Sequence, residues 1–257
     1  MFIDTHAHLN FESFDADRDA VIQRAVEAGV DKIIVPSVDE KSSRLAVDLA
    51  ERYSQVYAAV GIHPQDAQDY SENRIQTFYD WAKHPKVVAI GEIGIDYYRD
   101  YNGKDLQIQV FRRFVRLAQE TNLPVIIHNR EADSDILRIV ESKEFGSVTG
   151  VFHCFSSGVP TAQRVLKAGY LISFTGTVTF KKSESANVLR ELPLGKLMIE
   201  TDSPFLTPTP FRGKRNEPAF VRYVAEKFSE VKEVPLEEIA SVTAQNAYRL
   251  FQKLKNA

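Results

Sequence analysis

Eight short apolar runs punctuate this chain, and their spacing constrains the fold more than anything else in it. They read MFID, KIIVP, VYAAV, VVAI, PVII, VTGVF, YLISF and KLMI. Most are continuously apolar rather than alternating, as expected of strands buried on both faces of a parallel sheet. Segments of helical periodicity lie between them. Ile22, Ala25 and Val26 share one helix face; Val110, Phe114 and Leu117 share another. Phe111, Phe114 and Phe220 read as core. Gly29 ends the first helix, and Asn122 with Pro124 stops the helix before the fifth run. Eight strand–helix units in 257 residues predict an α/β fold, a (β/α)8 TIM barrel forming a single domain over 1–257. An open doubly wound sheet would want a glycine-rich phosphate loop after a strand, and GIHP and GEIG are not that loop.

Composition narrows the function. Formal net charge is -3, whereas a broad nucleic-acid face usually shows as a basic domain, so any contact with nucleic acid is expected to be local to a site. No apolar run is long enough to span a bilayer, and the N-terminus lacks the basic and long apolar segments of an export signal. The lone Cys154 allows no internal disulfide and fits a reducing compartment, so a cytoplasmic location is expected.

In a barrel the C-terminal strand ends converge on one face, where active sites are built. Five of the six histidines fall there: His6 and His8 after the first run, His63 after the third, His128 after the fifth and His153 at the end of the sixth. Glu92 follows the fourth run, and Glu200 and Asp202 follow the eighth. In an extended His-x-His segment both rings point to the same side and can reach one ion. Imidazoles and carboxylates without thiolates suit a catalytic site for Zn, Mn, Fe or Ni rather than a structural zinc. Six side chains divide into two sites: His6, His8 and Asp202 on one ion, His128 and His153 on the other, and Glu92 bridging them. The expectation is two divalent metal ions, drawn from Zn, Mg, Mn or Ni. Glu200 is expected to orient a ligand from behind. His84, at the opposite end of the barrel, reads as a surface residue, and Cys154 as packing rather than a nucleophile.

Cations on the same face suggest phosphate binding. Arg212 and Arg215 lie with Lys214 in TPTPFRGKRNEP after the last strand, Arg130 follows His128 by two residues, and His63 is a further candidate contact.

The motifs FIDTHAHL, GIHP, GEIGIDYY, PVIIHNREA, HCFSSG, ISFTGTVTF, ETDSPFLTP and RGKRNEP, in this order, resemble the TatD family of the amidohydrolase superfamily. The resemblance runs from the first residues to about Asn246. It implies metal ligands at His6, His8, Glu92, His128, His153 and Asp202, and a divalent-metal-dependent deoxyribonuclease, mainly a 3′–5′ exonuclease on single strands of DNA, with RNA as an alternative substrate. Ala7 and Asn129 stand where many members have Cys and Ser; neither change removes a ligand. The expected reaction is phosphodiester hydrolysis at DNA ends by a monomer, with Asp202 as general base and Glu92 shared between ions. The same metals would serve a D-aminoacyl-tRNA deacylase or another ester or amide hydrolase, and a non-catalytic metal-binding barrel is the third reading.

Overall fold

The computed structural model describes residues 1–99 and 101–255. Eight parallel strands pair in chain order: β1 (Phe2–Asp4), β2 (Val30–Val35), β3 (Val56–Val60), β4 (Val87–Asp96), β5 (Val125–Arg130), β6 (Gly150–Phe152), β7 (Leu171–Phe174) and β8 (Leu197–Ile199). The last strand closes onto the first. Thr5 N–H donates to Ile199 O at 3.3 Å, Asp202 N–H to His6 O at 2.8 Å and His8 N–H to Ser203 O at 2.8 Å. The helices are α1 (Arg18–Glu27), α2 (Glu40–Arg52), α3 (Ile75–Ala82), α4 (Lys104–Thr121), α5 (Asp133–Val140), α6 (Val159–Lys167), α7 (Ser185–Glu191), α8 (Val221–Lys232) and α9 (Leu236–Leu250). This is the (β/α)8 barrel that the eight runs predict. Among the described residues no helix is long and apolar enough to cross a membrane.

The continuous apolarity of the strands follows from their two buried faces. One cluster takes Ile3, Ile34, Tyr57, Val88, Ile126, Val151, Leu171 and Met198, one from each strand, and so fills the barrel interior. Ala244 and Ala247 of α9, followed by Phe251 and Leu254, join it. The other cluster joins the alternate strand residues, such as Ile33, Val60, Ile127 and Phe174, to the helices.

Local chemistry sets the helix ends. Asp39 Oδ1 accepts from Ser42 N–H at 2.6 Å while Ser42 Oγ accepts from Asp39 N–H at 2.9 Å, a reciprocal cap that starts α2. Asn122 ends α4 in the left-handed region at φ 53°.

Two helix-face expectations change. In α1 the buried stripe is Val21, Ile22 and Ala25, and Val26 is 39% exposed. Val26 is one residue past Ala25, about 100° round the helix, and so leaves the docked face. Phe220 is only partly buried; it sits on a short turn and stacks on Phe211 at 4.6 Å.

Strands β4 and β5 run past VVAI and PVII, continuing in register from Ile93↔Ile127 to Asp96↔Arg130. Gly94 permits this. It has φ 156°, and a Cβ there would collide with the backbone of His128. The extension carries Glu92 and Asp96 on β4 up beside His128 on β5.

Candidate metal centre

Glu92 is the centre of the site. Its carboxylate is buried, and its two oxygens face different partners. Oε2 lies 3.2 Å from His6 Nε2 and 3.6 Å from His8 Nε2. Oε1 lies 2.7 Å from His153 Nε2, 2.8 Å from His128 Nδ1 and 3.5 Å from His63 Nε2. Asp202 closes the first group, with Oδ1 3.5 Å from His8 Nε2 and 3.7 Å from His6 Nε2. Potential ligand atoms lie within 4.8 Å of one another in three sets: His6, His8 and Glu92; His6, His153 and Asp202; His63, Glu92 and His128.

The donor chemistry fits divalent cations. The Nε2 atoms of His6 and His8 are 3.2 Å apart, and the Nδ1 atoms of both rings are buried without partners. The Nε2 and carboxylate lone pairs that face one another here are costly at this density and depth unless a cation shares them, and imidazole with carboxylate is a set that divalent transition metals accept.

The centre opens into a cavity of about 470 Å³ whose wall includes Phe11, Asp96, Arg99, Arg130 and Phe205.

A model of the family described as TatD related DNase matches residues 3–252. The chain belongs to the TatD family. Metal-dependent hydrolase YabD of Bacillus subtilis is 47% identical over 253 residues, covering 98% of this chain and 99% of its own. Metal-dependent hydrolase YcfH of Escherichia coli K12 is 37% identical over 97% of this chain and 95% of its own. The crystal structure of YjjV, a TatD homologue from E. coli, superposes with a TM-score of 0.89 at 34% identity, covering 98% of both chains. The chain is therefore a metal-dependent hydrolase of the TatD type.

The electrostatics of this TatD centre follow from burial and crowding. Burial lowers the pKa of His6, and the His153 charge adds to it. Burial likewise lowers His63, helped by His128. Burial opposes ionisation of Glu92, but the surrounding imidazoles outweigh it and hold the carboxyl well below its usual range. Burial would depress His153 too, yet Glu92 and Glu200 push it well above an ordinary histidine.

Glu200 sits behind His153. Its Oε1 accepts from Cys154 N–H at 2.6 Å and lies 3.5 Å from His153 Nδ1, and its Oε2 accepts from Ser173 Oγ at 2.7 Å. It is placed to fix the His153 ring. Cys154 is buried enough that its thiol pKa rises, which keeps it protonated.

His63 reaches the centre, but its hydrogen bonding settles its tautomer. Nδ1 accepts from Gln65 N–H at 3.2 Å, so the neutral ring carries its proton on Nε2, the atom that faces Glu92. That is an N–H donor rather than a ligand lone pair.

Two arginines go elsewhere. Arg215 forms a two-pronged pair with Asp17 at 2.9 and 2.7 Å and covers the Phe14 ring. Arg212 lies 3.8 Å over the Phe180 ring and donates to Thr207 O at 3.0 Å. Neither lines the cavity, because the loop after β8 folds back on the 13–17 segment and on Phe180. Arg130 does line it, over the Tyr98 ring at 4.7 Å. His84 is at the other end, 3.3 Å from Glu51.

Three contributors escape a motif-by-motif reading. Asp96 Oδ2 lies 3.2 Å from His128 Nε2 and accepts from Gln65 Nε2 at 3.0 Å, and Oδ1 accepts from Arg99 N–H at 2.8 Å. Its signal is strand parity: residues 92, 94 and 96 of β4 share a face. Arg99 lines the cavity three residues later. Asp4, buried and pushed up to about 8 by desolvation, accepts from Thr201 N–H at 2.9 Å and Thr201 Oγ1 at 2.6 Å. It ties the backbone before His6 to the backbone before Asp202.

Proposed function

We propose that this TatD protein is a divalent-metal-dependent deoxyribonuclease that hydrolyses phosphodiester bonds at the ends of single-stranded DNA, holding two ions. The observation that carries the reading is the divided environment of Glu92. One carboxylate oxygen faces His6 and His8, the other faces His128 and His153, and arginines rim the cavity outside. His6, His8 and Asp202 would hold one ion and His128 and His153 the other, with Glu92 shared. Bound divalent cations supply Lewis acidity toward the phosphoryl oxygens and lower the pKa of water.

The chain's own groups do the rest. Burial opposes ionisation of Asp202, but His8 and His6 keep its pKa low, so it is ionised at neutral pH and accepts the proton of the attacking water. The water oxygen bonds to phosphorus as the bond to the leaving oxygen breaks. His63 Nε2–H, Arg99 and Arg130 offer hydrogen bonds to the charge that develops on the remaining oxygens. Asp96 and Glu200 hold the His128 and His153 rings in place. The lone cysteine suits action in the cytoplasm, and the mild negative charge suits engagement of strand ends by a monomer rather than wrapping of a duplex.

The test strips the protein with chelator, restores Mg²⁺, Mn²⁺ or Zn²⁺, and follows end-labelled single-stranded DNA on a gel. Successive 3′ shortening that is absent in Glu92→Ala supports the proposal. No cleavage with any metal, alongside hydrolysis of D-aminoacyl-tRNA or model esters, overturns it in favour of carbonyl chemistry.

A further inference from the structure

A second depression of about 430 Å³ lies beside the metal cavity. Phe11, Val38 and Phe205 line both, so the two spaces adjoin. Phe205 is 52% exposed, a large ring left uncovered at the edge of a polar centre. Phe11 stacks on His8 with ring centres 4.5 Å apart, and the Phe11 and Phe205 rings meet edge to face at 6.1 Å. Leu45 and Pro204 extend the apolar lining.

Charge separates the two spaces. Arg99 and Arg130 line the metal cavity and not the groove. The groove instead carries a mixed set, the carboxylates of Glu12 and Asp39 with the ammonium of Lys41, and so offers no net positive charge to gather a phosphate. Asn10 is fixed in the groove wall. Its amide donates to Pro36 O at 3.0 Å and Ser42 O at 3.2 Å, while its Oδ1 is buried with no partner. An uncharged planar ring suits this apolar lining without net positive charge.

We infer that this groove is a base-binding subsite: it takes the nucleobase of the nucleotide flanking the scissile phosphate, stacked on Phe205, while the phosphate lies over the metal centre. The inference rests on the nuclease reading above. Stacking on an aromatic ring tolerates any base, so the subsite selects nucleic acid over simple phosphodiesters without selecting sequence. It also favours single strands, because a paired base must first be unpaired and unstacked to enter.

The experiment uses the whole protein with single-stranded oligonucleotides in two arms. In the first, 2-aminopurine replaces one base near the 3′ end, and its fluorescence is followed on addition of protein, in chelator and with Mg²⁺. In the second, a tetrahydrofuran abasic nucleotide is placed at successive positions and KM and kcat are measured. The expected result is a 2-aminopurine signal with wild type that Phe205→Ala loses and Phe205→Trp keeps. One abasic position should raise the wild-type KM about tenfold, with kcat little changed and no further increase in Phe205→Ala. Cleavage of DNA with equal abasic penalties and equal signals in wild type and Phe205→Ala overturns the subsite and leaves the nuclease intact. A Phe205-dependent signal without cleavage under any metal overturns the nuclease and retains the groove as a nucleotide site. Neither signal nor cleavage overturns both.

Discussion

At the scale of single residues, the centre depends on one carboxylate serving two groups of imidazoles. Glu92→Gln keeps the shape but makes one of the two oxygens an amide donor facing imidazole nitrogens. The expected outcome is loss of hydrolysis and of bound metal, read by activity assay and by metal analysis of the folded protein. Asp96 acts one step out. Asp96→Asn removes the charge beside His128 Nε2, and activity or metal affinity should fall about 10- to 100-fold with the fold unchanged by circular dichroism. Asp66, on the cavity wall, gives a pH prediction. Burial, then Asp39 and Asp69, raise its pKa from 3.8 to about 6. The native state therefore holds this proton more tightly than the unfolded chain does. Stability falls as pH rises from about 4 through 6 and stays lower above that. Asp66→Asn should match wild type in thermal stability at pH 4 and exceed it at pH 7; the same difference at both values would refute the burial argument. Strand-end position in the sequence places His6, His8, His63, His128, His153, Glu92 and Asp202 around one point. It does not reveal that His63 presents N–H rather than a lone pair, since that depends on the Gln65 amide folding against Nδ1.

At the scale of elements, β4 and β5 decide how deep the centre sits. Their close approach runs through Gly94. Gly94→Ala puts a methyl group into the His128 backbone and forces the strands apart, so purified variant should bind less metal and unfold at lower temperature. The segment after α9 matters at the other end of the barrel. Phe251 is fully buried in the interior cluster, and Phe251→Ala should cost about 3–5 kcal/mol in a denaturant titration. Element order and type were legible because strand and helix periodicities are local. The extensions of β4 and β5 were not: IGEIGIDYY mixes glycine and acids with apolar residues, and it continues as strand only because β5 pairs with it.

At the scale of the whole molecule, the proposed ligands come from the ends of β1, β4, β5, β6 and β8, so an ion bound there would tie together segments spread through the chain. Binding to the native state alone stabilises it by about 2.7 kcal/mol at a hundredfold excess over Kd. For a barrel of this size that is roughly 5–10 °C in Tm. Chelator should lower Tm by that order and re-added metal restore it, monitored by scanning calorimetry; no shift would mean that the centre does not hold metal in solution. By itself the sequence determined the eight alternating units, the two-faced burial of the strands and the chemical kind of each donor, because these depend on spacing over a few residues and on where a strand ends. Only the tertiary structure decided which Glu92 oxygen meets which histidine, that Asp96 and Arg99 join the site, that Arg212 and Arg215 are engaged elsewhere, and that Phe11 and Phe205 flank an open groove. Those outcomes depend on packing between loops distant in the chain, where a charge such as that of Arg215 takes the partner that the fold brings within reach, Asp17.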